Sequence, residues 1–264
     1  MTEILVKASR GVTNNAIQIL TIDRPPRNAM SMDTYRQLLQ HLEDGSADPS
    51  VRCVILTGAG DSAFVAGGEL SEHVQLTPQT AGERTALVRK VNQAIRQHRA
   101  PVIAAVNGYA LGGGLVLMAS CDIVFASTNA KFSLPEVKVG VLGGTRHLRR
   151  LVPDKVVRYM ALTGNLVDAA YFKQIGVIQD VVPLDDLMNI ALKTAEGICA
   201  HSAVAIKLMK ETLNLTEHME LDEGYHVECL ATSILKGTPE AQEAAMAALQ
   251  KRKPDFSQWQ SSPA

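Results

Sequence analysis

Residues 101–114 read PVIAAVNGYALGGG, and this stretch decides the architecture. Five consecutive apolar residues, 102–106, lie between a proline and the pair Asn107-Gly108. A run of that length is short for a helix and suits a strand buried on both faces. Three consecutive glycines follow at Gly112, Gly113 and Gly114, and residues 115–120 (LVLMAS) then favour helix. A strand that runs through bare glycine backbone into a helix leaves amides free at the helix start, with a partial positive charge beside them.

A second stretch repeats the design. Residues 56–70 read LTGAGDSAFVAGGEL and follow the apolar strand predicted at 51–57. Glycine tolerates unusual dihedrals and lets a ligand approach the backbone closely. Two amides, one from each stretch, could converge on one oxygen and form an oxyanion hole for an enolate or tetrahedral anion. The same glycines would serve equally for tight turns, and spacing alone does not separate the two readings.

Outward from these stretches, the first half alternates strand and helix patterns. Residues 16–22 and 121–126 read as further strands, and residues 80–97 have helical spacing. Ser31 reads as the N-cap of a helix running to about Glu43 and ending near Gly45. Strands alternating with helices predict crossover connections and a largely parallel sheet, an α/β fold. From about Pro153 onward helix dominates, at 155–163, 168–174, 184–200, 202–218, 222–235 and 239–251. Only 177–182 reads as a strand there, and 258–264 reads as a frayed tail.

Composition narrows the function. The chain has 264 residues, 46% hydrophobic and 20% charged, enough for a large core. Lys plus Arg is 26 against 27 Asp plus Glu, a net charge of −1, with basic residues scattered. That balance speaks against nucleic-acid and anionic-membrane binding. No apolar run reaches the roughly 18 residues of a membrane span, and the start MTEILVKASRG resembles neither a signal nor a transit peptide. Cys53, Cys121, Cys199 and Cys229 match no metal spacing and read as buried free thiols in a reducing compartment, here the cytoplasm. The glycine cluster lacks dinucleotide spacing, and neither a P-loop nor a nucleophile elbow occurs.

Taken in order, these segments resemble the enoyl-CoA hydratase/isomerase (crotonase) superfamily. The matching pieces are IDRP at 22–25 with Asn28-Ala29, VILTG at 54–58, FVAGGEL at 64–70, PVIAAVNGYALGGG at 101–114, CDIV at 121–124 and FSLPEV at 132–137. LTG at 162–164 and KRKPDF at 251–256 complete the set, and PVIAAVNGYALGGG is the most specific of them. The resemblance implies a spiral of β-β-α units over residues 1–200. A C-terminal helical region, 201–264, would build trimers or hexamers. It further implies an acyl-CoA thioester as substrate, coenzyme A being part of that substrate, with no metal or redox cofactor. By position the oxyanion amides fall on Gly68 and Gly113. Substrate contacts fall on Arg24, Arg27, Asn28, Ala66, Gly67, Leu70, Gly112, Val116 and Leu142. The basic tail 251–253 with Phe256 either contributes to coenzyme A binding or forms a solvated charge run.

Two departures bear on the reaction. Hydratases of the family usually carry two glutamates facing the acyl chain, which suits the activation of water and the delivery of a proton. The second is present as Glu136, and the first is replaced by Val116. The loop after the Pro-Glu turn, Gly140-Val141-Leu142-Gly143-Gly144-Thr145, is about three residues shorter than the family's usual form. A single carboxylate above an oxyanion hole is enough for double-bond isomerisation, with Glu136 as general base and acid. The sequence therefore favours isomerisation. Hydration or dehydration is the alternative, and a non-catalytic coenzyme A-binding subunit a further one. His147 reads either as a second titrating group or as a surface residue among arginines. Tyr109 either packs or donates to the ligand. Glu69 orients its turn, and Asp122 anchors a strand start.

Overall fold

The computed structural model describes residues 3–259. The chain opens with β1 (Val6–Arg10) and β2 (Ile17–Ile22), which pair antiparallel. α1 (Met32–Ala47) follows, with Ser31 accepting the Thr34 amide as its N-cap. Gly45 does not end this helix. A methyl there would collide with Gln18, so the glycine marks close approach to β2.

Three β-β-α units come next. β3 (Cys53–Gly58) and β4 (Ala63–Val65) lead into α2 (Leu70–Val74) and α3 (Pro78–Arg96). β5 (Val102–Val106) and β6 (Tyr109–Leu111) lead into α4 (Gly113–Ser120). β7 (Ile123–Ser127) and β8 (Lys131–Ser133) lead into a 3-10 turn (Pro135–Val139) and α5 (Thr145–Leu148). The first strand of each unit joins a six-stranded sheet, and the second joins a four-stranded one. This shared division of strands is the spiral expected of the α/β chain.

The chain then runs through α6 (Asp154–Thr163), β9 (Val167–Asp168), α7 (Ala169–Gln174), β10 (Asp180–Val182) and α8 (Leu184–Cys199). It closes with α9 (Ala203–Thr216), α10 (Leu221–Lys236) and α11 (Pro239–Leu249). β10 completes the large sheet in the order β1-β2-β3-β5-β7-β10, parallel except at β1. β9 closes the small sheet, β4-β6-β8-β9.

Side chains alternate across the large sheet. Val54 and Leu56 of β3 face a core shared with Leu38 and Leu42 of α1, while Cys53 and Ile55 face Leu187, Ala191 and Ala195 of α8. Both faces are covered, which is why the strands read as unbroken apolar runs. The helix-rich part beginning near Pro153 is built into the main sheet, since β10 forms an edge of that sheet and α8 covers one of its faces. Gln258 and Trp259 lie in a short 3-10 turn, so only residues 260–264 of the expected frayed tail fall outside the described residues. The four cysteines are free, and Cys229 is exposed rather than buried.

Candidate active site

The two glycine-rich stretches meet through β4 and β6, which pair in parallel with Val65 opposite Ala110. Just beyond these strands, Met30 binds the second stretch's neighbour on both sides. Its amide donates to Gly67 O at 2.8 Å, and its carbonyl accepts the Glu69 amide at 3.0 Å. In such a parallel bridge the residue between, Gly68, keeps its own amide unused. On the other stretch, Gly112 N donates to Ser133 O at 2.9 Å, and Val116 N to Gly112 O at 3.1 Å. Gly113, the first residue of α4, has an amide with no intrahelical acceptor. Neither the Gly68 nor the Gly113 amide has a protein acceptor among the described residues.

Bare backbone is required here. Gly67 has φ +101° and Gly112 φ +51°, conformations that side chains avoid. A methyl on Gly112 would stand 2.7 Å from Glu136 Oε1. A methyl on Gly68 would stand 2.6 Å from His73 Nε2 and 2.8 Å from Arg84 Nη2. A methyl on Gly113 would stand 2.7 Å from the Tyr35 hydroxyl.

Glu136 sits in the 3-10 turn that Pro135 starts and Gly140 caps with φ +71°. The Glu136 carbonyl accepts the amides of Gly140 and Val141, which fixes the turn. Its carboxyl is half-buried, and Oε2 is buried without a hydrogen-bond partner. Burial holds its pKa above the ordinary carboxylate range, opposed by a weaker bond from its own amide. A carboxyl so placed, with an unfilled acceptor and one residue from the free Gly113 amide, can take up and return a proton next to a developing oxyanion.

The shortened loop folds down on the same region. A methyl on Gly144 would meet Leu134 Cδ2 at 2.6 Å and Val116 Cγ2 at 3.0 Å. Val116 is 7% exposed, so an apolar wall stands where a second carboxylate was looked for.

The chain is similar to known proteins along nearly its whole length. The family model for enoyl-CoA hydratase/isomerase matches residues 12–260. The chain belongs to the enoyl-CoA hydratase/isomerase family. It is 36% identical over 241 residues to the short-chain-enoyl-CoA hydratase of Clostridium acetobutylicum, covering 90% of this chain and 92% of that one. It is 35% identical over 262 residues to the 2,3-dehydroadipyl-CoA hydratase of Escherichia coli, covering 97% and 99%. The crystal structure of an enoyl-CoA hydratase from Bacillus anthracis superposes with a TM-score of 0.91 at 29% identity, covering 96% and 98%. The crotonase-like fold and membership of an enzyme family are thus as expected. The preference for isomerisation finds no support in these names, which are those of hydratases.

Within this family frame, the remaining expected site residues divide into three groups. Gly67, Gly68, Gly112, Gly113, Val116 and Glu136 come together as described. Arg24 and Asn28 are engaged in holding the loops: Arg24 Nη1 donates to Glu69 Oε2 at 2.5 Å, and Asn28 Nδ2 donates to Ala59 O and Ala63 O at 2.9 and 2.8 Å. The Ala66 amide donates to Arg27 O at 3.2 Å, tying the second stretch to that turn. Arg27, Leu70 and Leu142 are exposed, Leu142 almost completely.

Glu69 caps α2 by accepting the Ser71 amide, and Asp122 accepts the Val102 amide at the start of β5, both as expected. His147 is half-buried rather than a free surface group. Burial lowers its pKa first, and Arg150, Arg96 and Arg146 lower it further. In the basic tail, Arg252 is bound by Glu243 through both Nη atoms. Among the described residues, no group of three His, Cys, Asp or Glu side chains is placed to hold a metal, and no helix is long and apolar enough to cross a membrane.

Sequence reasoning passed over Tyr35, His73 and Arg84. No spacing marks them. They reach the glycines from three different helices: Tyr35 from α1 stands against Gly113, while His73 from α2 and Arg84 from α3 stand against Gly68.

Proposed function

We propose that this chain is an acyl-CoA enzyme that adds water to a 2-enoyl thioester, with Glu136 moving the proton and the amides of Gly68 and Gly113 receiving the thioester oxygen. The observation that carries the reading is Glu136 itself: half-buried, with Oε2 enclosed and unpartnered, raised in pKa and set against Gly112, one residue from a free amide. As water adds to the β-carbon, the π electrons move into the thioester as an enolate, which the two amides stabilise. One carboxyl suffices for the protons. It takes one from the water and returns it to the α-carbon. The hydratase names of the relatives support this direction. Coenzyme A enters as part of the substrate. Arg27, Ala66, Gly67, Leu70 and Leu142 are its proposed contacts, with Arg24 and Asn28 shaping the wall behind it.

A second reading is isomerisation of a 3-enoyl thioester. Val116 favours it, because a valine holds neither water nor a proton. Both readings need Glu136, whereas a non-catalytic subunit would not. The test follows the absorbance of the conjugated thioester with 2-enoyl- and 3-enoyl-CoA of medium chain. Decay from the first supports hydration, and growth from the second supports isomerisation. Glu136→Gln should abolish either. Full activity in that variant would remove the assignment. The helical region 201–264 is the proposed assembly surface for a trimer or hexamer, supported by exposed Leu221, Leu230, Ile234 and Leu249. Sedimentation would decide the state.

A further inference from the structure

Tyr35 is 2% exposed, and its hydroxyl has no hydrogen-bond partner among the described residues. The ring is enclosed, whereas the hydroxyl oxygen is not one of the fully enclosed side-chain atoms that lack a partner. The ring is fixed by packing in the core and by the Arg84 guanidinium, whose carbon lies 5.6 Å from the ring centre. The Arg84 side chain is held in turn by Glu72 Oε2 at 2.6 Å and Met30 O at 3.1 Å. The hydroxyl therefore has a defined position, and two observations locate it. It lies 2.7 Å from where a methyl on Gly113 would stand. Burial pushes its pKa up to about 12 against the opposing pull of Arg84, and the Glu136 and Glu72 carboxylates add to the rise. At neutral pH the phenol keeps its proton.

Gly113 and Val116 are three residues apart on α4, and such residues share a helix face. The hydroxyl therefore lies against the Gly113 end of the face from which position 116 also projects. Glu136 flanks the adjoining Gly112. A polar group missing from α4 is supplied, on the same face, from α1.

We propose that Tyr35 is the water-binding residue of this site, its hydroxyl oxygen accepting one O–H of the attacking water while Glu136 accepts the other. This rests on the hydration reading. The water's O–H bond to Glu136 breaks, its oxygen bonds to the β-carbon, the π pair moves into the enolate, and Glu136 passes the proton to the α-carbon. Tyr35 gains and loses no proton.

The experiment compares wild type, Tyr35→Phe and Tyr35→Phe/Val116→Glu. Hydration of 2-enoyl-CoA is measured beside exchange of the α-proton of a saturated acyl-CoA in deuterated water. Phe keeps the ring and its contact with Arg84. In Tyr35→Phe the kcat for hydration should fall at least about tenfold more than α-proton exchange, since a misplaced reactant costs about one to two powers of ten. A carboxylate at 116 in the double variant should restore hydration. Unchanged hydration in Tyr35→Phe overturns the proposal. So does an equal fall in both reactions, which would mark a structural role. A wild type that exchanges or isomerises without hydrating overturns it too, while leaving Glu136 as the proton carrier. Exchange that survives Glu136→Gln would instead sink the underlying assignment.

Discussion

Gly112→Ala should damage catalysis more than stability, for a reason the geometry makes quantitative. The new methyl would lie 2.7 Å from Glu136 Oε1 and 3.3 Å from Cδ, where ordinary contact begins near 3.4 Å. The carboxyl must therefore retreat by about 0.7 Å. The backbone of its turn is pinned by the Gly140 and Val141 amides, so the retreat falls on the side-chain torsions and moves the carboxyl itself. A displacement approaching 1 Å at a reacting group costs up to about a hundredfold in rate. The backbone adds its own cost, since φ +51° with ψ −115° is disfavoured for alanine by about 1–3 kcal/mol. Gly176→Ala is the control. It has φ +79° with nothing within 4 Å of the added methyl, so it bears strain without touching Glu136. Both variants should lose several degrees of Tm by differential scanning fluorimetry. Only Gly112→Ala should lose roughly tenfold to a hundredfold in kcat for the enoyl-CoA reaction. Full kcat in Gly112→Ala, or an equal kcat loss in Gly176→Ala, would refute the placement of Glu136 against Gly112.

Three further outcomes follow from the charges. Glu136→Gln should lower kcat by about 10²–10⁴-fold. Because burial raises its pKa, the folded protein holds a proton that the unfolded chain releases just above 4.5. Wild-type stability should therefore decline as pH rises from 4.5 through the raised value, and the Gln variant should lose that decline in urea titrations. The same ionisation sets the acid limb of kcat/KM in wild type above the ordinary carboxylate range. Glu217 is penalised by burial, yet Arg96 and Arg150 pull it down to about 2. Its stabilisation is present above its ordinary value of 4.5 and is lost as pH falls from there towards 2. The Tm gap between wild type and Glu217→Gln should close over that window. Lys210 is 6% exposed and donates to Ile95 O, Ala100 O and Asp122 Oδ2. Lys210→Met strands those acceptors and should cost about 3–5 kcal/mol by chemical denaturation, and unchanged stability would show the pair to be dispensable.

The large sheet was legible because burial on both faces leaves its strands as unbroken apolar runs, and β5 is found at the predicted residues. The small sheet was not. β4, β6 and β8 have three residues each, too short for any period to register, and β4 and β6 lie between glycine turns. β1 escaped for another reason: it is an edge strand with mostly exposed side chains, so its sequence VKASR carries no apolar pattern. Gly45 misled because glycine serves both to end helices and to admit a close neighbour, and here Gln18 is that neighbour.

At the site, the glycines and Glu136 could be read because each is tied to a local turn whose chemistry is written in adjacent residues. The loss at Val116 was legible for the same reason. Its consequence was not, because what surrounds Val116 comes from elsewhere in the chain. Leu134 and Gly144 close over it from one side. From the other, α1 brings the Tyr35 hydroxyl over Gly113, about 80 residues away in sequence. A sequence reading compares like positions, so it registers a glutamate replaced by valine as a function removed. Chemistry requires only that a polar atom stand on the right face of α4, from whichever element supplies it. The inference from Val116 to isomerisation rests on position alone, and the names of the relatives do not support it. On the proposal made for Tyr35, the unpartnered hydroxyl beside Gly113 reconciles the hydratase names of the relatives with the valine.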